Sequence, residues 1–272
     1  MLIVGEKLNS SIKRVAEAIE ARDVATIQDL ARRQAEAGAD YLDANAAIRV
    51  NEELDDLAWL IETIQAATDT PLCIDSPNPA AIARGLELVQ ASGRPARPLI
   101  NSITAEPGRL HGILPLAAQH HCPVVALTSD EQGIPTTVED RLRIAGRIVA
   151  EAEKCGVPRE DLYFDPLVLP VSTDVRNAVL FMDALAAIKA EYPGVKTISG
   201  LSNVSYGLPK RKLINRAFLV MAMHAGMDAA ILDPLDTDLM ALLRAGEMLL
   251  GHDEFCMNYL MAYRAGKLGA TS

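Results

Sequence analysis

Three aspartates, Asp43, Asp75 and Asp165, lie within the segments LDAN, CIDS and FDPL, each carboxylate directly beside apolar residues. Burying an ionised carboxylate is costly unless it accepts hydrogen bonds, so carboxylates in such settings belong to polar networks or binding sites. Amides accompany them, with Asn9 in GEKLN, Asn45 in LDAN, Asn101 in LINSI and Asn203 in GLSNVSYG. GLSNVSYG, from Gly200 to Gly207, also gathers Ser202 and Ser205 behind a β-branched stretch. Such residues often form only a turn. Grouped with the aspartates, they offer acceptors for several N–H donors and donors for ring nitrogens, which is what holding a polar heterocycle requires.

These residues recur at one place in a repeating unit. Short apolar runs start at Leu2, Tyr41, Leu72, Leu99, Val124, Tyr163, Lys196 and Ala229, and amphipathic segments separate them. Ile27, Leu30, Ala31, Gln34 and Ala35 form one helical stripe, closed by Gly38 as a C-cap, and Leu54, Leu57, Ala58, Ile61 and Ile64 form another. Eight strand-like runs, each followed by a helical pattern, predict a single-domain (β/α)8 TIM barrel over residues 1–272. An open doubly wound sheet fits less well, because no GxGxxG follows the first run.

Every run begins apolar and finishes polar. Glu6 and Asn9 follow the first, Asp43 and Asn45 end the second, Asp75 and Ser76 the third, and Asn101 and Ser102 the fourth. Thr128 and Ser129 end the fifth, Asp165 the sixth, Asn203 the seventh and Asp233 the eighth. Such residues also cap the helix that follows. In a barrel, however, all eight carboxyl ends meet on one face, where active sites of this fold sit.

Composition narrows the chemistry. A net charge of −10 disfavours nucleic acid and anionic membranes as partners. MLIVGEKLNS carries no signal peptide and no spanning segment, and four scattered cysteines without a CxxC pair read as reduced thiols of a cytoplasmic protein. No HExxH occurs, and no histidine ends a strand to help Asp43, Asp75 and Asp165 hold a metal, so no metal is expected. The sixth run ends without a lysine, which disfavours a Schiff-base aldolase, and no GxSxG elbow is present.

At these segments the chain resembles the pterin-binding methyltransferases that move a methyl group between tetrahydrofolate and a corrinoid protein. GEKLN, ARRQAEAGADYLDAN, LCIDSPN, INSITAE, DLYFDPLVLP, GLSNVS and LINRAFLVMAM carry the resemblance, in order, along nearly the whole chain. It implies a barrel whose acidic mouth takes tetrahydrofolate or methyltetrahydrofolate as substrate, with cobalamin carried by a corrinoid partner protein. It further implies that Asp75, Asn101 and Asp165 hydrogen-bond the pterin. Asn203 would face the nitrogen carrying the methyl group, with Asp43 in the polar network around it. Glu6, Asn9, Gly200 and Ser202 would shape the cavity, and Arg211 would lie near the folate tail or the corrinoid partner. The implied direction of transfer is open.

Dihydropteroate synthase is the nearest rival, but SNVSYG stands where that family places a Ser-Arg-Lys type motif after the seventh strand. A non-catalytic pterin-binding or corrinoid-docking subunit is the other. Departures from the methyltransferase pattern are Ala44, Tyr206 and TSDEQGIP, all near the expected mouth. VMAMHAGM reads as packed helix with His224 no ligand, ARRQAEAG as a solvated face with ion pairs, and Asp253 to Lys267 as a last amphipathic helix able to support a homodimer.

Overall fold

The computed structural model describes residues 1–94 and 97–269; the remaining five positions of the expected 1–272 domain lie outside the described residues. Strands β1 (Leu2–Gly5), β2 (Tyr41–Asn45), β3 (Leu72–Asp75), β4 (Leu99–Ile103), β5 (Val124–Leu127), β6 (Leu162–Asp165), β7 (Lys196–Gly200) and β8 (Ala229–Leu232) form a closed barrel. Each pairs in parallel with the next, and β8 pairs with β1. Around them run α1 (Lys13–Glu20), α2 (Val24–Ala37), α3 (Glu53–Gln65), α4 (Pro79–Ala91) and α5 (Pro107–His120). The ring continues with α6 (Val138–Cys155), α7 (Asn177–Glu191), α8 (Arg211–His224), α9 (Thr237–Leu249) and α10 (Met257–Arg264). The expected (β/α)8 TIM barrel is present.

Strand side chains alternate between two environments, as a period of two dictates. Leu42, Ile74, Ile100, Val124, Leu162 and Phe164 pack outward against the helices. Val4, Cys73, Leu99, Val125, Tyr163, Ile198 and Ala229 form a separate apolar cluster inside the barrel. The Lys196 ammonium donates to the Tyr163 hydroxyl at 3.2 Å within this interior. The apolar layer carries the polar strand ends above it, so Asp43, Asp75 and Asn101 rest on a packed floor rather than on water.

Two expectations need correction. Asn203 does not end the seventh strand: β7 stops at Gly200, and Leu201–Ser205 coils into a 3-10 turn, with the Tyr206 amide donating to the Asn203 carbonyl at 3.1 Å. The segment from Asp253 to Lys267 is not one helix. Glu254–Cys256 is a 3-10 turn, and Phe255 and Cys256 take φ of 54° and 57°. The cause is Asp253, whose two carboxylate oxygens accept from the Asn258 and Tyr259 amides, both at 2.9 Å, and so cap α10 from outside. His224 is exposed at the end of α8, while Met223 and Met227 are buried.

Candidate active site

At the carboxyl ends of the strands the barrel opens into a cavity of about 590 Å³. Glu6, Asn9, Asp43, Asp75, Asn101, Gly200, Ser202, Asn203 and Arg211 all line it. Asp233, expected at this face as the end of the eighth run, joins them, as do Lys7, Lys212, Asn215 and Asp236, which the sequence did not single out. The volume lies within the range that small-molecule sites occupy.

A chain of amides and carboxyls crosses the floor. The Asn9 side-chain N–H donates to Asp43 Oδ2 at 2.9 Å and to Asp75 Oδ2 at 3.3 Å. Asn45 donates to the same Asp75 oxygen at 3.1 Å, and its own oxygen accepts from the Ser10 hydroxyl at 2.7 Å. Asn45 therefore fixes the carboxyl that faces the cavity, a task its position in LDAN does not disclose. Burial, then the nearby Asp75 charge, push the Asp43 carboxyl well above the usual range. Burial likewise pushes Asp75 up to about 6, with Asn45, Arg109 and Asn9 acting against it. Asp43 Oδ1 is buried without a partner. The pair thus combines a carboxyl held well above the usual range with one that ionises near 6.

The β7 side supplies the other wall. The Asn203 amide lies against the strand end, its Nδ2 3.4 Å from where a Cβ on Gly200 would stand. Ser202 donates its hydroxyl to Glu6 at 3.1 Å, joining the last turn before α8 to the first loop of the chain. Burial raises the Glu6 carboxyl as well. Arg211 donates to the Ser202 carbonyl at 2.7 Å and to the Ser205 hydroxyl at 3.1 Å, and its guanidinium lies 5.8 Å from the exposed Tyr206 ring. Lys7 pairs with Asp233 at 2.7 Å.

Asp165 stands apart from this lining. It is buried at the end of β6 and spends its oxygens on two backbone donors, the Leu167 amide at 2.7 Å and the Gly200 amide at 3.4 Å. Burial pushes it up to about 6. Helix capping does not account for the polar strand ends: besides Asp253 at α10, the side-chain caps among the described residues are Asp23, Asn78, Thr137 and Asp236. Ser76 instead bonds the buried Glu53, and Ser102 accepts from Arg109 at 3.3 Å.

Gln34 belongs to ARRQAEAG, the segment expected to be a solvated face, and for this residue the expectation fails. It is fully buried; its Oε1 accepts from the Lys7 amide at 3.0 Å and lies 2.6 Å from where a Gly5 Cβ would stand. Helical periodicity shows that Gln34 lies on the stripe with Ile27 and Ala31, but not that the barrel leaves a glycine-sized gap for its amide. The neighbouring Arg33 does behave as expected, pairing with Asp29 at 3.1 Å. Among the described residues, no group of three or more His, Cys, Asp or Glu side chains is placed to hold a metal ion.

A methylcorrinoid:tetrahydrofolate methyltransferase of Eubacterium limosum is 40% identical over 271 residues, 99% of this chain and 98% of that protein. A methionine synthase of Mycobacterium tuberculosis is 31% identical over 85% of this chain, which spans 20% of that longer protein. Dihydropteroate synthase structures share the fold. The Xanthomonas albilineans enzyme with 4-aminobenzoic acid superposes with a TM-score of 0.66 at 23% identity, covering 92% of this chain and 91% of that one. The Vibrio fischeri enzyme gives 0.68 at 15%, covering 92% and 93%. The model of the family described as "Pterin binding enzyme" matches residues 5–233, from the end of the first strand to the residue after the eighth. This chain belongs to the pterin-binding enzymes.

Proposed function

We propose that this protein is a methyltransferase that carries a methyl group from a methylated corrinoid protein to tetrahydrofolate. The observation that carries the reading is the convergence of Asn203 with the Asp43–Asn9–Asp75 chain on one cavity. Near-full-length similarity to a methylcorrinoid:tetrahydrofolate methyltransferase supports both the substrates and the direction. In that direction the pterin N–H nitrogen attacks the methyl carbon. A C–N bond forms, the Co–C bond breaks with its electron pair left on cobalt, and the N–H proton must depart.

The cavity residues divide this work. Asp75 and Asn101 hold the ring edge, Glu6, Asn9, Gly200 and Ser202 shape the walls, and Asp165 joins from behind Gly200 through the lone pairs its backbone donors leave open. The Asn203 amide hydrogen-bonds the reacting nitrogen in its protonated and methylated states, and so orients the lone pair. Asp75, which ionises near neutrality, receives the departing proton, and Asp43 beside it buffers the charge. Arg211, at the outer end, meets the folate tail or the corrinoid partner.

The decisive experiment mixes the protein with tetrahydrofolate and methylcobalamin in the absence of oxygen and follows the cobalamin spectrum and methyltetrahydrofolate together. Methyltetrahydrofolate should appear as methylcobalamin is consumed. Bound folate without transfer would instead favour a docking subunit. Dihydropteroate from a pterin pyrophosphate and aminobenzoate would favour a synthase.

We further propose that residues 1–272 act as one pterin-binding domain in a cytoplasmic homodimer. The four cysteines are free thiols, which suits a reducing compartment, and no helix among the described residues is long and apolar enough to cross a membrane. Leu213, Met221, Leu242 and Leu249 are exposed on α8 and α9, an apolar face for a second copy. Light scattering on a Leu213→Glu, Leu242→Glu double variant should give a monomer where the parent gives a dimer.

A further inference from the structure

Tyr206 is held by its backbone and displayed by its side chain. Its amide donates to the Asn203 carbonyl at 3.1 Å, and its own carbonyl accepts from the Ser172 hydroxyl at 2.7 Å. The Val171 amide donates to the Val204 carbonyl at 3.0 Å, so the loop after β6 and the turn after β7 brace each other. Tyr206 nevertheless stays 67% exposed. An aromatic ring left in water contributes little to the fold, and Tyr206 is one of the positions where the sequence departs from the methyltransferase pattern.

Its neighbours place it at the mouth. Asn203, to which its amide is bonded, and Arg211, whose guanidinium lies 5.8 Å from its ring, both line the cavity. No aromatic side chain among the described residues lines the cavity itself. Of the three cations that do, Lys7 pairs with Asp233 at 2.7 Å and Lys212 with Asp236 at 3.5 Å, whereas Arg211 pairs with no carboxylate among the described residues. Its bonds to Ser202 and Ser205 fix the guanidinium in place. An exposed aromatic face beside a fixed cation that lacks an ion-pair partner suits a ligand carrying an aromatic ring and, close to it, a carboxylate.

We propose that Tyr206 is a specificity-determining residue for the tail of the substrate, its ring stacking on the p-aminobenzoyl ring of tetrahydrofolate while Arg211 takes a glutamate carboxylate. The inference rests on the reading of the cavity as a tetrahydrofolate site with Asn203 at the reacting nitrogen. The carbon next to that nitrogen bears the tail, so the tail leaves the cavity beside Asn203, and the benzoyl ring follows after a short linker. Tyr206, bonded to Asn203 and flanked by Arg211, is the aromatic face it meets there. Because the backbone is already pinned by Ser172 and Asn203, stacking costs only the freedom of the ring.

The test compares tetrahydrofolate with 6-methyltetrahydropterin, which has the same ring system and no tail, by anaerobic calorimetry. Tyr206→Leu should weaken tetrahydrofolate by about three- to tenfold, the worth of one aromatic stack, and leave 6-methyltetrahydropterin bound as in the parent. Tyr206→Phe, which keeps the ring, should bind both ligands as the parent does. The side chain is exposed, so both variants keep the fold. Equal losses for the two ligands would give Tyr206 a role in shaping the pterin site and overturn the proposal. A phenylalanine variant that loses as much as the leucine variant also overturns it. So does a Tyr206→Leu variant that raises the KM for a methylated corrinoid protein without weakening tetrahydrofolate, which would assign the ring to the partner. A parent protein that binds neither ligand refutes the reading of the cavity itself, and this inference with it. A parent that binds both equally well leaves that reading standing and removes the tail contact.

Discussion

Asp165→Asn should make the protein more stable in mild alkali while weakening its hold on substrate. The carboxyl has an ordinary value of 3.8 and ionises near 6 in the fold, because burial outweighs its two backbone donors and Arg141. The native state holds this proton more tightly than the unfolded chain. Stability is therefore highest below the unfolded value and declines as pH rises from about 4 to about 6. The native-state penalty grows from about 0.5 kcal/mol at about pH 4 to about 3 kcal/mol at about pH 8. Asparagine carries no such penalty. It keeps an acceptor for the Leu167 amide at 2.7 Å but forfeits the one facing the Gly200 amide at 3.4 Å. That loss costs about 1 kcal/mol at every pH. The variant should thus be slightly less stable than the parent in acid and about 2 kcal/mol more stable in alkali. Urea unfolding across this range reads the difference directly. A stability difference that stays flat with pH would refute the assignment of a raised carboxyl at Asp165.

Three further outcomes follow from the geometry. Asn203→Ala should lower turnover by about 10²- to 10³-fold with a change in tetrahydrofolate KM of less than about threefold; unchanged turnover would remove Asn203 from the chemistry. Gly5→Ala should cost about 1–3 kcal/mol by evicting the Gln34 amide, and a second Gln34→Ala change should recover part of it in a thermal melt. Arg211→Ala removes the donors to Ser202 and Ser205, so amide exchange across Leu201–Ser205 should speed up and turnover should fall about tenfold; identical exchange would show that the turn holds itself.

The barrel is legible in the sequence because its strands are bounded on both sides. YLDAN and LINSI are β2 and β4 residue for residue, since an apolar run flanked by helical patterns has few other options. The collecting of polar residues at one face follows from topology alone, and nine of the ten expected site residues, all but Asp165, border one cavity. What stays hidden depends on contacts between distant elements. Gln34 lies on an apolar stripe yet carries a polar amide, and only the gap at Gly5 shows where that amide goes. Lys7 and Asp233 become partners only when β1 meets β8. The turn that carries Asn203 reads as strand because it runs straight on from the β-branched stretch at Lys196, and Arg211, six positions beyond Ser205, is what ties its carbonyl and hydroxyl groups. Asp165 does end a strand as expected, yet sequence cannot show that two backbone amides claim it first.

The Glu6–Ser202 hydrogen bond joins residues 196 positions apart. A ribosome adding about 5–20 residues per second takes about 10–40 s to travel that distance. From the moment Asp75 is added, the emerging chain carries Asp43 and Asp75 without the wall that Gly200, Ser202 and Asn203 provide. Until its contacts exist the site lacks one wall, so substrate stabilises such an intermediate less than the closed barrel. During synthesis, tetrahydrofolate therefore favours chains whose first and last strands have met over those still being made.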